Sequence, residues 1–238
     1  APLETSLKAM PDQLPERPKA VLMISGHWET EGFAVMSNPQ PPMVYDYTGF
    51  PPETYQITYP APGASDLAAR THALLAAAGL PTRLDAEMGY DHGTFAPMAV
   101  IYPEADVPLY QVSLQQGYDP GAHFAMGRAL APLRDEGVVI IGSGLSYHNL
   151  RAFGPGARVP SEAFDAWLNE ALMLPPEART KALMNWEQAP YARDCHAQED
   201  HLAPIFAALG AAEQDDMTRI YHQTEIFGGV TASGFRFD

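Results

Sequence analysis

Cysteine is almost absent from this chain. Among 238 residues there is one, Cys195, so no internal disulfide can form and no multi-thiolate metal site can be built. Basic residues are scarce as well: 14 Lys and Arg stand against 29 Asp and Glu, a formal net charge of −15 with His neutral. That balance disfavours nucleic acid and anionic membrane as partners, since both require a basic face. No apolar run approaches the roughly eighteen residues that span a bilayer. No secretory leader is visible, so the expected compartment is cytoplasmic. No GxGxxG follows a strand and no GxxxxGK[ST] occurs, which removes support for nucleotide phosphate binding. HExxH is missing, and Gly142-Ser143-Gly144 lacks the GxSxG spacing of an α/β-hydrolase elbow. Cys195 beside His196 is a poor thiol dyad, because sequence neighbours rarely face each other.

What is present is ordinary globular composition, 46% hydrophobic and 18% charged, in a chain long enough for one large domain with a substantial core. Three histidines follow short apolar runs. Val21-Leu22-Met23-Ile24-Ser25-Gly26 leads to His27. Arg83-Leu84-Asp85 leads through a turn to Asp91-His92-Gly93. Val138-Val139-Ile140-Ile141-Gly142 leads to His148. Short β-branched runs that enter Gly-rich turns read as buried strands running into loops. In an open α/β sheet, ligands bind outside the carboxyl ends of the strands. Imidazoles delivered to one such edge suggest a metal site.

Strand and helix alternate along the chain. Strands are expected at Ala20–Ser25, Thr82–Leu84, Val107–Leu114 and Val138–Gly142, the last fully apolar and therefore central. Pro39–Gly63 reads as a long ordered loop. Helices are expected from a Ser65 or Asp66 cap through Ala78, and at Thr94–Tyr102, Pro120–Arg134, Ser161–Leu174, Pro176–Trp186 and Glu199–Leu209. Thr218–Phe227 and Val230–Phe237 flank Gly228-Gly229 as a hairpin. The pattern predicts a single α/β domain with a mixed, mostly parallel central sheet and helices on both faces.

Each histidine has a plainer reading. Taken alone, His27 is as readily a core imidazole satisfied by backbone, and His92 is a turn residue shaped by Asp91 and Gly93. His201, early in a helix, is ordinarily solvated. His148, after the most apolar strand, reads as functional. His72, His123 and His222 are assigned no role. Tyr45, Tyr47, Phe50 and Tyr147 could wall an apolar pocket; for each, ordinary loop packing explains the residue as well.

Taken together, the motifs resemble a known family. They are Arg17-Pro18-Lys19-Ala20 with Ile24-Ser25-Gly26-His27-Trp28; Tyr45-Asp46-Tyr47 with Gly49-Phe50-Pro51; Tyr59-Pro60-Ala61-Pro62-Gly63; and Asp91-His92-Gly93-Thr94. Tyr102-Pro103-Glu104-Ala105-Asp106-Val107-Pro108 and Leu133-Arg134-Asp135-Glu136-Gly137 follow, then Gly142-Ser143-Gly144 with His148-Asn149-Leu150-Arg151, and Glu199-Asp200-His201-Leu202. In this order they resemble the class III extradiol ring-cleavage dioxygenases of the LigB-type superfamily, in particular the 4,5-DOPA extradiol dioxygenase branch.

The resemblance implies a mononuclear non-haem metal held by His27, His148 and His201, with His148 also an acid/base near the ring and His92 a second catalytic residue beside the metal. It implies Fe(II) for activity, with Zn(II) as a candidate bound ion. The implied partners are a small aromatic diol and O₂, the implied role is aromatic compound catabolism, and a homo-oligomer is the candidate assembly. Fe(II) suits the chemistry, since catechol and O₂ together need adjacent open positions and the protein then supplies about three ligands. Two other readings stand beside it: a zinc hydrolase using the same imidazoles to activate water, and a degenerate, non-catalytic relative. The family's first ligand lies in a His-Gly-rich motif ending its first strand, which is expected upstream of Ala1. The expectation here is therefore a site of two or three of the named histidines, with solvent or a loop beside Val21–Ser25 where that strand would lie.

Overall fold

Five runs of the chain build one sheet in the computed structural model, which describes residues 2–238. In chain order the elements are α1 (Pro2–Lys8), β1 (Ala20–Thr30), β2 (Phe33–Met36), α2 (Ser65–Ala77), β3 (Thr82–Asp85), α3 (His92–Ile101), β4 (Leu109–Gln115), α4 (Pro120–Leu130), α5 (Pro132–Asp135) and β5 (Val138–Ser143). There follow α6 (Arg158–Leu172), α7 (Pro176–Met184), α8 (Ala192–Cys195), α9 (Ala203–Ala211), β6 (Met217–Ile226) and β7 (Val230–Phe237). The sheet order is β3-β2-β4-β1-β5. β1 runs parallel to both β4 and β5, β2 is parallel to β3, and β2 meets β4 antiparallel. β6 and β7 form a separate antiparallel hairpin that packs against α6. The α/β class and the mixed, mostly parallel sheet agree with the sequence pattern.

The sheet's centre is β1, whose Ala20–Ile24 stretch is fully buried. Side chains alternate across a strand, so its neighbours point to opposite layers. The Ser25 and His27 side chains lie against Gly93 at the start of α3, while Gly26 lies against the Asp200–His201 backbone ahead of α9. Helices α3 and α9 thus cover opposite faces. α4 packs along α9 at close range: a Cβ on Gly127 would sit 2.1 Å from the Ala207 carbonyl oxygen.

Several sequence expectations need correction. β5 is the sheet's edge, not its centre. α9 packs on β5, yet Val139–Ile141 stay only half-buried at this edge, and an apolar run carries no information about in-plane neighbours. Correspondingly, neither solvent nor a loop lies beside Val21–Ser25, because β4 and β5 pair with that segment on its two sides. β1 also continues to Thr30, so His27 lies within the strand and not beyond it. Neither β2 nor α1 was anticipated. The four-residue Phe33–Met36 run, directly after Gly32, is too short for a periodicity to register. Pro120–Arg134 is two helices, since Pro132 cannot donate to the preceding turn. Ser65 does not cap α2; its hydroxyl donates to the Ser37 carbonyl at 2.9 Å. α9 starts at Ala203, and the stretch holding His201 is a turn.

The α4–α9 contact sets a stability prediction. Gly127→Ala forces backbone apart and should cost about 3 kcal/mol, the upper range for overpacking. Gly156→Ala, where a Cβ meets nothing within 4 Å, should stay within about 0.5 kcal/mol of the parent. Urea midpoints of the two variants check both values.

Candidate metal and catalytic centre

The carboxyl ends of β1 and β5 and the start of α3 bring four imidazoles together. Between Ile24 and Glu29 the register of β1 against β4 breaks. Such an irregularity unpairs part of a strand and re-aims its side chains, and His27 lies in this interval. His92 opens α3 behind Asp91, whose carboxylate accepts the Thr94 N–H at 3.1 Å and caps the helix. His148 follows the Gly-rich turn after β5, and its N–H donates to the Cys195 carbonyl at 2.9 Å. His201 sits in the turn before α9, where its carbonyl accepts the Leu145 N–H at 3.0 Å. A Cβ on Gly144 would lie 2.1 Å from that same His201 carbonyl oxygen, so the two turns meet only because residue 144 has no side chain.

The rings form one cluster. His27 Nε2 and His201 Nε2 are 3.0 Å apart. The His27 and His92 ring centres are 3.9 Å apart, and His148 stacks on His201 at 3.3 Å with the planes 17° apart. Carboxylates stand behind them. Asp46 Oδ2 lies 3.1 Å from His27 Nδ1, and its Oδ1 lies 2.9 Å from His92 Nδ1. Asp200 Oδ2 lies 2.9 Å from His201 Nδ1, off the line of the N–H, so this is a close contact without an aligned hydrogen bond. His148 Nδ1 is 4.0 Å from Asp200 Oδ1.

Electrostatics follows from this packing. Burial alone would raise the Asp46 carboxyl, but the hydrogen bonds from His27 and His92 outweigh it and hold it well below the usual carboxylate range. The same contact pushes His92 upward. Burial raises Asp200, and His201 more than reverses that. His148 is pushed down to about 4 by burial and by His201 beside it. Beneath the cluster, Asp91 is fully buried and held by Ser25 Oγ at 2.8 Å and Gln111 Nε2 at 2.8 Å. Burial raises its carboxyl.

The donor set fits a divalent transition metal. Imidazole nitrogens backed by carboxylates are the ordinary arrangement around zinc and non-haem iron. Two nitrogens about 3 Å apart match neighbouring ligands that each lie about 2.1 Å from a shared ion. Two separate sets of possible ligands, His27-Asp46-His92 and His148-Asp200-His201, meet where His27 Nε2 approaches His201 Nε2.

His27, His92, His148 and His201, singled out in the sequence, are thus all in this cluster. The aromatic residues divide. Tyr47 stands edge-on to His92 at 5.4 Å, with Phe50, 59% exposed, beyond it. Tyr45 packs against Tyr47, and its hydroxyl donates to the Ile57 carbonyl at 2.7 Å. Tyr147 is 1% exposed, its hydroxyl committed to the Ala152 carbonyl at 2.9 Å. It offers no surface to a substrate and serves packing instead. Cys195 is buried and pushed up to about 12 by burial, which removes it as a nucleophile. His123 is a core residue against Phe33. The sequence reading missed Asp46 and Asp200 as site residues. Adjacency to His201 was a usable signal for Asp200, whereas Asp46 is separated from both its histidines by long stretches of chain.

His196 generates a pH prediction. It is fully buried against Phe164 and Trp186, its Nε2 3.0 Å from the Ser146 carbonyl. Burial lowers it from 6.5 to about 4. The unfolded chain therefore binds the extra proton first. His196's contribution is complete above about pH 6.5 and is lost as pH falls toward 4, with a limiting slope of ~1.4 kcal/mol per pH unit. Urea melts of metal-free protein at pH 7 and pH 5 should show a smaller acid loss in His196→Gln than in the parent.

Comparison with known proteins places these residues in a wider setting. Residues 4–238 match the model for the catalytic LigB subunit of aromatic ring-opening dioxygenase. The chain is similar to a Portulaca grandiflora protein named 4,5-DOPA dioxygenase extradiol, 36% identical over 229 residues, covering 94% of this chain and 83% of that one. It is similar to a Hapsidospora irregularis protein named dioxygenase tasH, 38% identical, covering 90% of this chain and 70% of that one. Among solved structures, an uncharacterized Escherichia coli K12 protein superposes with a TM-score of 0.82 at 29% identity, covering 98% of this chain and 91% of that one.

Proposed function

The chain belongs to the LigB family of catalytic subunits of aromatic ring-opening dioxygenases, and from that premise we propose that it is a non-haem Fe(II)-dependent extradiol dioxygenase opening a catechol-type ring with O₂ at the four-histidine cluster. The observation that carries the reading is the 3.0 Å approach of His27 Nε2 and His201 Nε2, each ring with a carboxylate beside its other nitrogen. His27, His148 and His201 are assigned to hold the ion; Zn(II) would suit the same nitrogens. When bound, the ion supplies Lewis acidity toward the diol and the redox capacity to engage O₂.

The remaining steps fall to the protein's own groups. His148, lowered to about 4, is neutral at pH 7 and accepts a phenolic proton, which it later returns to the opening ring. Its Nδ1 lies 4.0 Å from Asp200, too far for a hydrogen bond to lock the ring, so it is free to exchange that proton. His92 is held through Nδ1 by Asp46, which also pushes it upward, and it donates from Nε2 toward bound substrate or O₂ when its ring carries both protons. Tyr47 offers an aromatic wall beside His92, with Phe50 at the rim. No helix among the described residues is long and apolar enough to cross a membrane, and we assign the enzyme to the cytoplasm.

Anaerobic Fe(II) reconstitution followed by air and a panel of catechols tests the reading. The panel begins with DOPA, the compound in the relatives' names. Oxygen uptake and a yellow ring-opened product are expected with Fe(II) and none with Zn(II). Hydrolysis supported by Zn(II) without oxygen uptake would overturn the assignment. His92→Ala should lower turnover about 100-fold or more while metal content stays near that of the parent. Equal loss of both would make His92 a ligand.

A further inference from the structure

We propose that Asp46 is a positioning residue whose single carboxylate sets the tautomer and orientation of both His27 and His92, directing both Nε2 atoms into the cluster. The role rests on the metal-dependent reading above but is a property of the metal-free protein.

The contacts are specific. Oδ2 faces His27 Nδ1 at 3.1 Å. Oδ1 faces His92 Nδ1 at 2.9 Å and also accepts the His92 backbone N–H at 3.0 Å. An ionised carboxylate only accepts hydrogen bonds. The hydrogen bond fixes a proton on His92 Nδ1, and the facing oxygen favours one on His27 Nδ1, so each ring in its neutral form keeps its lone pair on Nε2. The opposite tautomer would turn an Nδ1 lone pair against a negative oxygen. For His27 the consequence is direct, since its Nε2 is the atom 3.0 Å from His201 Nε2. Fixing the ligand's tautomer through its second nitrogen raises metal affinity.

The loop that delivers Asp46 is built to hold it still. Val44 N–H donates to the Tyr90 carbonyl and Tyr90 N–H to the Pro42 carbonyl, both at 2.8 Å. The chain two residues before Asp46 is thus zipped to the chain two residues before His92. On either side of Asp46, the Tyr45 and Tyr47 hydroxyls donate to the Ile57 and Thr54 carbonyls at 2.7 and 2.6 Å. The Asp46 side chain is 18% exposed although its backbone is on the surface. One loop residue thereby couples a histidine of β1 to a histidine of α3.

Asp46→Asn is the discriminating change. Its side chain keeps the shape but has one accepting oxygen and a donating NH₂, so it can satisfy one Nδ1–H and opposes the other. Long-range ¹H–¹⁵N NMR of metal-free protein reads the tautomers. The parent should show Nδ1–H on both His27 and His92, and Asp46→Asn should convert at least one to Nε2–H. Zn(II) affinity, measured by competition with a chromophoric chelator, should fall about 10–100-fold. Asp46→Glu should recover part of it, and the remote Asp106→Asn should change nothing. An Asp46→Asn protein with both rings still Nδ1–H overturns the proposal, whether its affinity is kept or lost. So does a parent in which either ring lacks the proton on Nδ1, a result that needs no variant to fold. A parent that binds Zn(II) but opens no catechol ring counts against the dioxygenase reading alone, because the tautomers and the affinity still decide the role of Asp46.

Discussion

The close approach of His27 Nε2 and His201 Nε2 is the constraint around which the rest of this structure is arranged. The two rings come from segments on opposite faces of the sheet and meet at 3.0 Å beside the irregular stretch of β1. Reaching that point requires β1 to break register with β4 between Ile24 and Glu29. It also requires the turn after β5 to press on the His201 backbone at Gly144. The start of α3 must come against His27 as well, and Gly93 permits this, since a Cβ there would sit 2.8 Å from His27 Cδ2.

Charge follows the same logic. Burial drives His148 down to about 4, and the repulsion between crowded imidazoles, here with His201 stacked on it, adds to the shift. Asp46 and Asp200 offset this from behind the rings, where carboxylates orient the nitrogens without occupying the centre. Asp91 works one layer deeper. It ties Ser25 of β1, Gln111 of β4 and the first turn of α3 into a single buried network. Thr94 Oγ1 and Gln111 Oε1 are buried beside it without a partner, but the Asp91 carboxylate itself is held by three donors, and losing one would leave a costly buried group underpaired.

The aromatic loop from Pro39 to Gly63 has little regular structure, yet it is not loose. Its tyrosine hydroxyls are consumed by its own backbone, and Tyr59 and Tyr90 anchor it to the Tyr102, Ala61 and Leu109 carbonyls. Long ordered loops in compact domains are usually functional. This one carries Asp46 to two histidines and presents Tyr47 to a third side of the same space.

The sequence by itself determined the α/β class, the mostly parallel sheet, and the four histidines that meet. Apolar runs, glycines and prolines encode strands, turns and breaks locally, and the ordered motifs from Arg17 to Leu202 carried the family resemblance. It did not determine that β5 is an edge, that β1 continues through His27, or that Tyr147 turns inward. Apolarity measures burial without direction, and strand neighbours are chosen by packing across the whole chain. Least legible was Asp46, an acidic residue between two tyrosines in a loop. Its partners lie 19 and 46 positions away, and only the fold brings one carboxylate within hydrogen-bonding distance of both rings.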